Sequence, residues 1–255
     1  MRALLVQPPL VQLNAPYPAV HYLEAFLRAR GHESRARDHS IELSRSMFSR
    51  AGLGRIFADA RARLADGPPA ALEAAAAAGE EPRRGPNEAE RRELERYLSY
   101  EGAYLAWIDS LVGFLAGEDP ALAHRIAAAA ELPRGARAAA FLEERGGRIG
   151  PDEARALATR VLEDLADFVR FALDPEFGTV RYGERLARSS SSLSGALAAL
   201  RTSYALEAFY RPWLRAAFAA EAAAGAPDIL LVTLPFPGCL LGALACAEEF
   251  RKAFG

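Results

Sequence analysis

Arg2-Ala3-Leu4-Leu5-Val6-Gln7-Pro8-Pro9 and Asp228-Ile229-Leu230-Leu231-Val232-Thr233-Leu234-Pro235-Phe236-Pro237-Gly238 are the two stretches whose reading decides the fold. Each is a short apolar run without alternation, followed at once by a proline-rich loop. A strand covered on both faces reads this way, as in a parallel sheet. Between the two lies a long, alanine-rich and helix-rich stretch. The expected fold is therefore α/β: an incomplete, Rossmann-like, three-stranded parallel sheet with a large, mainly α-helical insertion. The sheet subdomain is expected from residues 1–43 and 225–255, and the insertion from 44–224.

The bulk composition narrows the function classes. The chain has 255 residues, 51% hydrophobic and 25% charged, and a net charge of -2. That balance offers no electrostatic reason for a nucleic-acid or anionic-membrane partner. Two cysteines, Cys239 and Cys246, exclude a disulfide framework and make a reducing cytoplasm the expected location. The first apolar run ends at Gln7, too early for a signal-peptide core. Ile229 to Ala247 carries no charge, and about 18 such residues could cross a bilayer. The Pro235–Gly238 break argues instead for strand, loop and helix.

Working outward from the first strand, Val20 to Arg30 reads as a helix with Tyr22, Leu23, Phe26 and Leu27 on one face. Gly31 suits its left-handed end, and His32 to Asp38 reads as a second, more polar strand. Strand, helix and strand form a right-handed crossover. Ile41 to Leu64 is amphipathic, with a break expected at Gly52 or Gly54. Pro68 to Gly79 is almost pure Ala, Leu and Glu, and Glu81 to Pro86 is a charged turn. Asn87, with Glu90 three residues on, suggests a cap for a helix reaching about Ala116. Further helices are expected from Asp119-Pro120, from Pro151 to about Leu173, and from Ser203 to Ala224 with a bend at Pro212. Gly146 to Gly150, Pro175 to Gly178 and Ser189 to Ser192 read as connections. A last helix follows Gly242. The high alanine content reflects helix propensity.

Open parallel sheets bind ligands beyond the carboxyl ends of their strands. Three loops belong there: Gln7 to Pro18, Asp38 to Ser40, and Pro235 to Gly238. The first holds Gln7, Gln12, Asn14 and Tyr17, stiffened by four prolines. Gly238 permits close backbone approach. Each of these residues has an equally good reading as simple turn chemistry. No phosphate-binding glycine pattern follows the first strand, which disfavours a nicotinamide dehydrogenase or a kinase. No serine occupies a hydrolase-type elbow. None of His21, His32, His39 and His124 makes a zinc pair at helical spacing. His39, after Asp38, is the most tempting, though a lone histidine more often caps a helix or lies on the surface. Cys239 and Cys246 are better read as small buried side chains than as ligands. No catalytic residue and no metal ligand is assigned.

Taken together, several segments resemble the amino-terminal region of cobalamin-binding radical S-adenosylmethionine proteins, of the Fe–S oxidoreductase type. They are Ala3-Leu4-Leu5-Val6-Gln7-Pro8-Pro9, Asn14-Ala15-Pro16-Tyr17-Pro18, Tyr22-Leu23 with Phe26-Leu27-Arg28 and Gly31-His32, Asp38 with Ser40-Ile41-Glu42-Leu43, Phe48-Ser49-Arg50-Ala51-Gly52-Leu53, and Pro235-Phe236-Pro237-Gly238 with Leu241-Gly242-Ala243. The resemblance covers roughly the first 57 and the last 28 residues. It implies a sheet of the cobalamin-binding type, with Gln7, Pro8, Asn14, Tyr17, Asp38, Ser40, Pro235, Phe236 and Gly238 facing the cofactor. It also implies a following radical domain that holds a 4Fe–4S cluster and S-adenosylmethionine. The Cys-x-x-x-Cys-x-x-Cys motif of that domain is absent here, so the chain is expected to be an amino-terminal fragment, not catalytic alone.

The Asp-x-His-x-x-Gly motif that supplies a lower axial histidine in many cobalamin domains is also absent. Any cobalamin is then bound without a histidine ligand from this chain. The alternative is a domain that has lost cobalamin and recognises a small-molecule or peptide substrate for the radical domain. The expected partners are that carboxyl-terminal radical domain and the substrate. A dimer through an exposed sheet edge is a further possibility, with no nucleic acid and no membrane. A third reading, a free-standing helical interaction protein, is disfavoured by the order of the terminal loops.

Overall fold

The computed structural model describes residues 1–9, 17–66, 88–128, 130–174, 177 and 193–255. The protein is α/β and predominantly helical, with one three-stranded parallel sheet. It divides into two compact units: Met1–Ser44 with Gly178–Gly255, and Arg45–Phe177.

In the first unit, β1 (Arg2–Gln7) lies between β2 (Glu33–Asp38) and β3 (Ile229–Val232), giving the order β2-β1-β3. Leu5 pairs with Ala36 on one side and Leu231 on the other. β1 is the central strand and is buried from Ala3 onward. The ends are tied across the chain: the Arg2 N–H donates to the Asp228 carboxylate at 2.7 Å, and the Asp228 N–H donates to the Arg2 carbonyl at 2.8 Å. The apolar run from Ile229 to Ala247 is thus split between a strand and a helix. No helix among the described residues is long and apolar enough to cross a membrane.

Helix α1 (Ala19–Arg28) covers one face, where Val20 and Leu27 pack on Ala3, Leu5, Ala36 and Leu231. Gly31 follows at φ 77°, the left-handed end expected of it. The face of Tyr22, Leu23, Phe26 and Leu27 is not buried as one stripe. Leu27 reaches the sheet, while Tyr22, Leu23 and Phe26 are exposed. The reason is a polar residue on the inward side. Glu24 accepts from the Ala36 N–H at 3.2 Å and from Arg28 at 2.7 Å, which rotates the helix toward the β2 edge.

The opposite face is covered by α10 (Arg211–Gly225) and α11 (Leu240–Phe254), labelled after the intervening helices given below. A chain that passes from β2 back across β1 to β3 places its helices on the face opposite α1 when crossovers are right-handed. An ion cluster locks α10 to α11. Glu249, 2% exposed, accepts from Arg211 at 3.1 Å, Arg215 at 2.9 Å and Lys252 at 2.8 Å. Arg215 and the neighbouring cations hold the Glu249 carboxyl down at about 2.

Residues 193–224, expected in the insertion, belong instead to this first unit, whereas the expected boundary after residue 43 lies one residue from the observed one. The helix expected from Ser203 to Ala224 is one unbroken helical run from Tyr204 to Gly225, with a cap before it and a π-type segment inside it. After α9 (Leu193–Thr202), the Ser203 hydroxyl accepts from the Leu206 N–H at 3.4 Å. A wide, π-type turn then spans Ala205–Tyr210 and leads into α10. Pro212 lies inside that run, just after the π-type segment, so the irregularity expected at this proline is taken up there. Proline lacks the N–H that a regular helix would need there, and the wide turn before it absorbs the mismatch.

The regular structure of the second unit is helical among its described residues: α3 (Arg50–Asp66), α4 (Glu88–Ser99), α5 (Glu101–Ala116), α6 (Leu122–Ala128), α7 (Ala136–Glu143) and α8 (Ala154–Ala172). Helix α2 (His39–Met47) contains the boundary between units. The break expected at Gly52 or Gly54 falls at Phe48-Ser49. There the Ser49 hydroxyl donates to the Ser46 carbonyl at 2.9 Å and accepts from the Gly52 N–H at 3.0 Å, a serine cap for α3. Gly52 is required because a Cβ would meet the Ser46 and Met47 carbonyls. The long helix expected up to Ala116 is divided at Tyr100, with the Ser99 hydroxyl turned onto the Arg96 carbonyl at 2.7 Å.

The core of this unit stacks Phe57, Tyr97 and Phe168, with ring centroids 4.8–5.2 Å apart. Asp164 is buried and caps α7 from α8, accepting the Arg137 and Ala138 N–H groups at 2.8 and 3.1 Å. Pro68 to Gly79, Glu81 to Pro86, the Asn87 cap and Ser189 to Ser192 lie outside the described residues.

Removing Glu249 leaves the buried Arg211 without its deepest partner. Because Arg211 keeps Glu207 and Glu248, Glu249→Ala is expected to cost about 1–3 kcal/mol. Arg215→Gln, losing a largely exposed partner, is expected to cost under about 1 kcal/mol. Urea unfolding followed by tryptophan fluorescence measures both.

Candidate functional site

The carboxyl ends of the strands carry the Gln7, Asp38 and Thr233 loops. The chain leaves β1 toward α1 on one face and β3 toward α11 on the other. The gap between β1 and β3 is therefore the topological switch point, where an open α/β sheet has its natural crevice.

Gln7 forms the floor of this gap. It is 1% exposed, and its Oε1 accepts from the Thr233 hydroxyl at 2.8 Å. Its Nε2 is buried without a hydrogen-bond partner among the described residues. Pro8 and Pro9 are buried beside it. Above it, Tyr17 and Phe236 meet edge to face at 5.3 Å. Tyr17 is half-buried, while Phe236 is 46% exposed, with exposed Leu234 and Pro235 next to it. The Cys239 N–H donates to the Phe236 carbonyl at 3.0 Å, curling the loop into the start of α11. Gly242 lies against Pro9, where a Cβ would collide with its carbonyl. Gly238 is buried in the same turn.

Gln7, Pro8, Tyr17, Pro235, Phe236 and Gly238 thus lie in the segments at the carboxyl ends of β1 and β3, with Gln7 bonded to Thr233 and Tyr17 against Phe236. Asn14 lies outside the described residues. Asp38 and Ser40 stand at the end of β2, away from the β1–β3 gap. The Asp38 carboxylate accepts from the Ser40 and Ile41 N–H groups at 3.0 and 3.1 Å, which is the work of a helix cap. Ser40 is buried.

His39 is neither a surface residue nor a helix cap. It is 2% exposed, and its Nδ1 shares a 2.7 Å hydrogen bond with the Tyr210 hydroxyl. Its ring meets Trp213 edge-on at 4.7 Å. Tyr210 also hydrogen-bonds Cys246. Burial, with Arg37 nearby, pushes the His39 imidazole down to about 3, so it is neutral at physiological pH. Cys239 and Cys246 are buried, as the sequence suggests, and burial raises their thiols to about 11 and 12. They are protonated and poor nucleophiles at neutral pH. No group of three or more potential metal ligands occurs among the described residues.

The cluster of His39, Tyr210 and Trp213 was not legible in the sequence. Its members lie 171 residues apart, and no local spacing links them. The only signal was the position of His39 directly after the cap residue Asp38.

No family model matches the chain, and neither a curated protein nor a solved structure matches it.

The histidine gives a signed pH effect. Below about 6.5 the unfolded chain binds a proton at His39 that the folded protein refuses. Stability is therefore expected to fall as pH drops from about 6.5 toward 3. In His39→Gln this contribution disappears and the profile flattens. Thermal melts of both proteins between these limits provide the check.

Proposed function

We propose that the protein is a cofactor-binding module that receives a flat ligand at the β1–β3 switch point, and that this ligand is cobalamin, as in the cobalamin-binding radical S-adenosylmethionine proteins its terminal segments resemble. The observation that carries the reading is the set of groups at the β1 and β3 strand ends. It combines a buried amide nitrogen without a partner at Gln7, an edge-to-face aromatic pair at Tyr17 and Phe236, and a glycine turn at Gly238.

These groups suit a large, flat, amide-bearing cofactor. Exposed aromatic and proline surface offers apolar contact, and an unpaired amide N–H offers one directional hydrogen bond. The crevice lacks a glycine-rich phosphate loop, so a dinucleotide fits it less well. No described histidine belongs to it, and a corrin held here keeps its lower face free of a histidine from this chain. The module supplies binding and orientation. The radical chemistry, a methyl transfer or the maturation of a natural product, belongs to a domain with the cluster-binding cysteines that this chain lacks.

The test is to purify the product of the complete gene anaerobically with hydroxocobalamin. Tyr17→Ala and Phe236→Ala are each expected to weaken corrin binding about five- to tenfold, the value of an aromatic contact. Unchanged affinity in both variants removes the loops from the site. A colourless protein that still acts on its substrate replaces cofactor binding with substrate recognition.

A further inference from the structure

A second cavity lies on the other side of the sheet edge, between β2 and α10, and the switch-point reading does not use it. Its volume is about 360 Å³, within the size range of small-molecule sites. Its origin is legible in α10. Trp213, Ala217, Ala220 and Ala224 recur at helical spacing on the side toward β2, and three of the four are too small to fill the gap. From the strand, Arg35 and Arg37 stand into the same space.

The polar groups are unevenly matched. Glu221 is nearly buried and takes both arginines: Arg37 donates to it at 3.0 Å, and Arg35 pairs with its other oxygen. Arg37 commits one terminal nitrogen to Glu221 and remains half exposed, so its guanidinium can still receive an anion. Glu42 lines the cavity as well, yet no hydrogen bond or ion pair closes on its carboxyl among the described residues. It is half-buried, and burial holds its carboxyl above the usual range. Arg37 lies close enough to offset part of that rise, yet a partly buried carboxyl that no hydrogen bond satisfies is a cost that a ligand can remove. The remaining wall is apolar and aromatic, formed by Trp213, Phe218 and the alanines, with the His39 ring at the inner end.

We infer that this cavity binds a small zwitterion, a free α-amino acid with an apolar side chain. Arg37 takes its carboxylate, Glu42 its ammonium, and Trp213 with Phe218 its side chain. Both charges are needed. A plain carboxylate would face Glu42, and a plain amine would face Arg37. The pocket is separate from the crevice at the strand ends, so binding here does not depend on a cofactor there.

The probe is L-phenylalanine, titrated into the full chain. Trp107→Phe leaves Trp213 as the sole tryptophan of the protein's two, and its fluorescence reports the pocket. Calorimetry on the unsubstituted chain reads binding without relying on fluorescence. Saturable binding at about millimolar concentration or below is expected. 3-Phenylpropionate, without the ammonium, and 2-phenylethylamine, without the carboxylate, are each expected to bind at least about tenfold more weakly. Glu42→Gln and Arg37→Gln are each expected to weaken L-phenylalanine by about the same factor. The inference is overturned if neither readout saturates by about 10 mM. It is also overturned if either analogue binds as well as the amino acid, or if both variants bind it unchanged.

Discussion

The structure depends on β1 having parallel neighbours on both sides. Four of its six residues, Ala3 to Val6, pair with both β2, 31 residues on, and β3, more than 220 residues on. Until β3 arrives, β1 has an open edge and the switch point does not exist. Closing so long a connection costs chain entropy, though only logarithmically with its length. The return is the burial of Ala3, Leu4, Leu5 and Val6 on both faces. The cross-ties between Arg2 and Asp228 hold the register where the strands begin.

From that pairing the remaining geometry follows. Two right-handed crossovers in opposite directions place α1 on one face and α10 with α11 on the other. The divergence makes the β1–β3 gap, where Gln7 lies, the switch point of the sheet. The Glu249 cluster then fixes α10 against α11 with three cations on one carboxylate. Buried charge of this kind contributes more to a unique arrangement than to net stability. Here it sets how α10 lies on the sheet, and so the gap in which Arg37, Glu42 and Trp213 face one another.

Much of the frame was legible from residue patterns. The strand at Arg2–Gln7, the helix ending at Gly31, the polar second strand and the start near Pro151 all follow from local signals. So does the division near Ser44. Apolar runs, proline loops and a left-handed glycine are properties of short segments, and short segments carry them visibly. Some errors are helix boundaries. Ser49 and Ser99 each turned a side chain onto the backbone where a helix was divided. A hydroxyl or carboxylate can make that bond or face solvent, and spacing does not distinguish the two. The same ambiguity applies to Asp38, whose carboxylate caps the start of α2.

The sequence by itself determined the class of structure: parallel strands at both ends, helices between, and loops of site-forming type after β1 and β3. These rest on periodicity and on the conformational limits of proline and glycine, which act within a few residues. Tertiary structure alone decided which loops share a crevice, that Gln7 is buried with an unpaired nitrogen, and that residues 193–224 join the sheet unit. It also decided that His39 is dry and neutral against Tyr210. Each of these is set by the company a side chain keeps across more than 30 residues of sequence. Burial, and the electrostatics that burial controls, has no local signature.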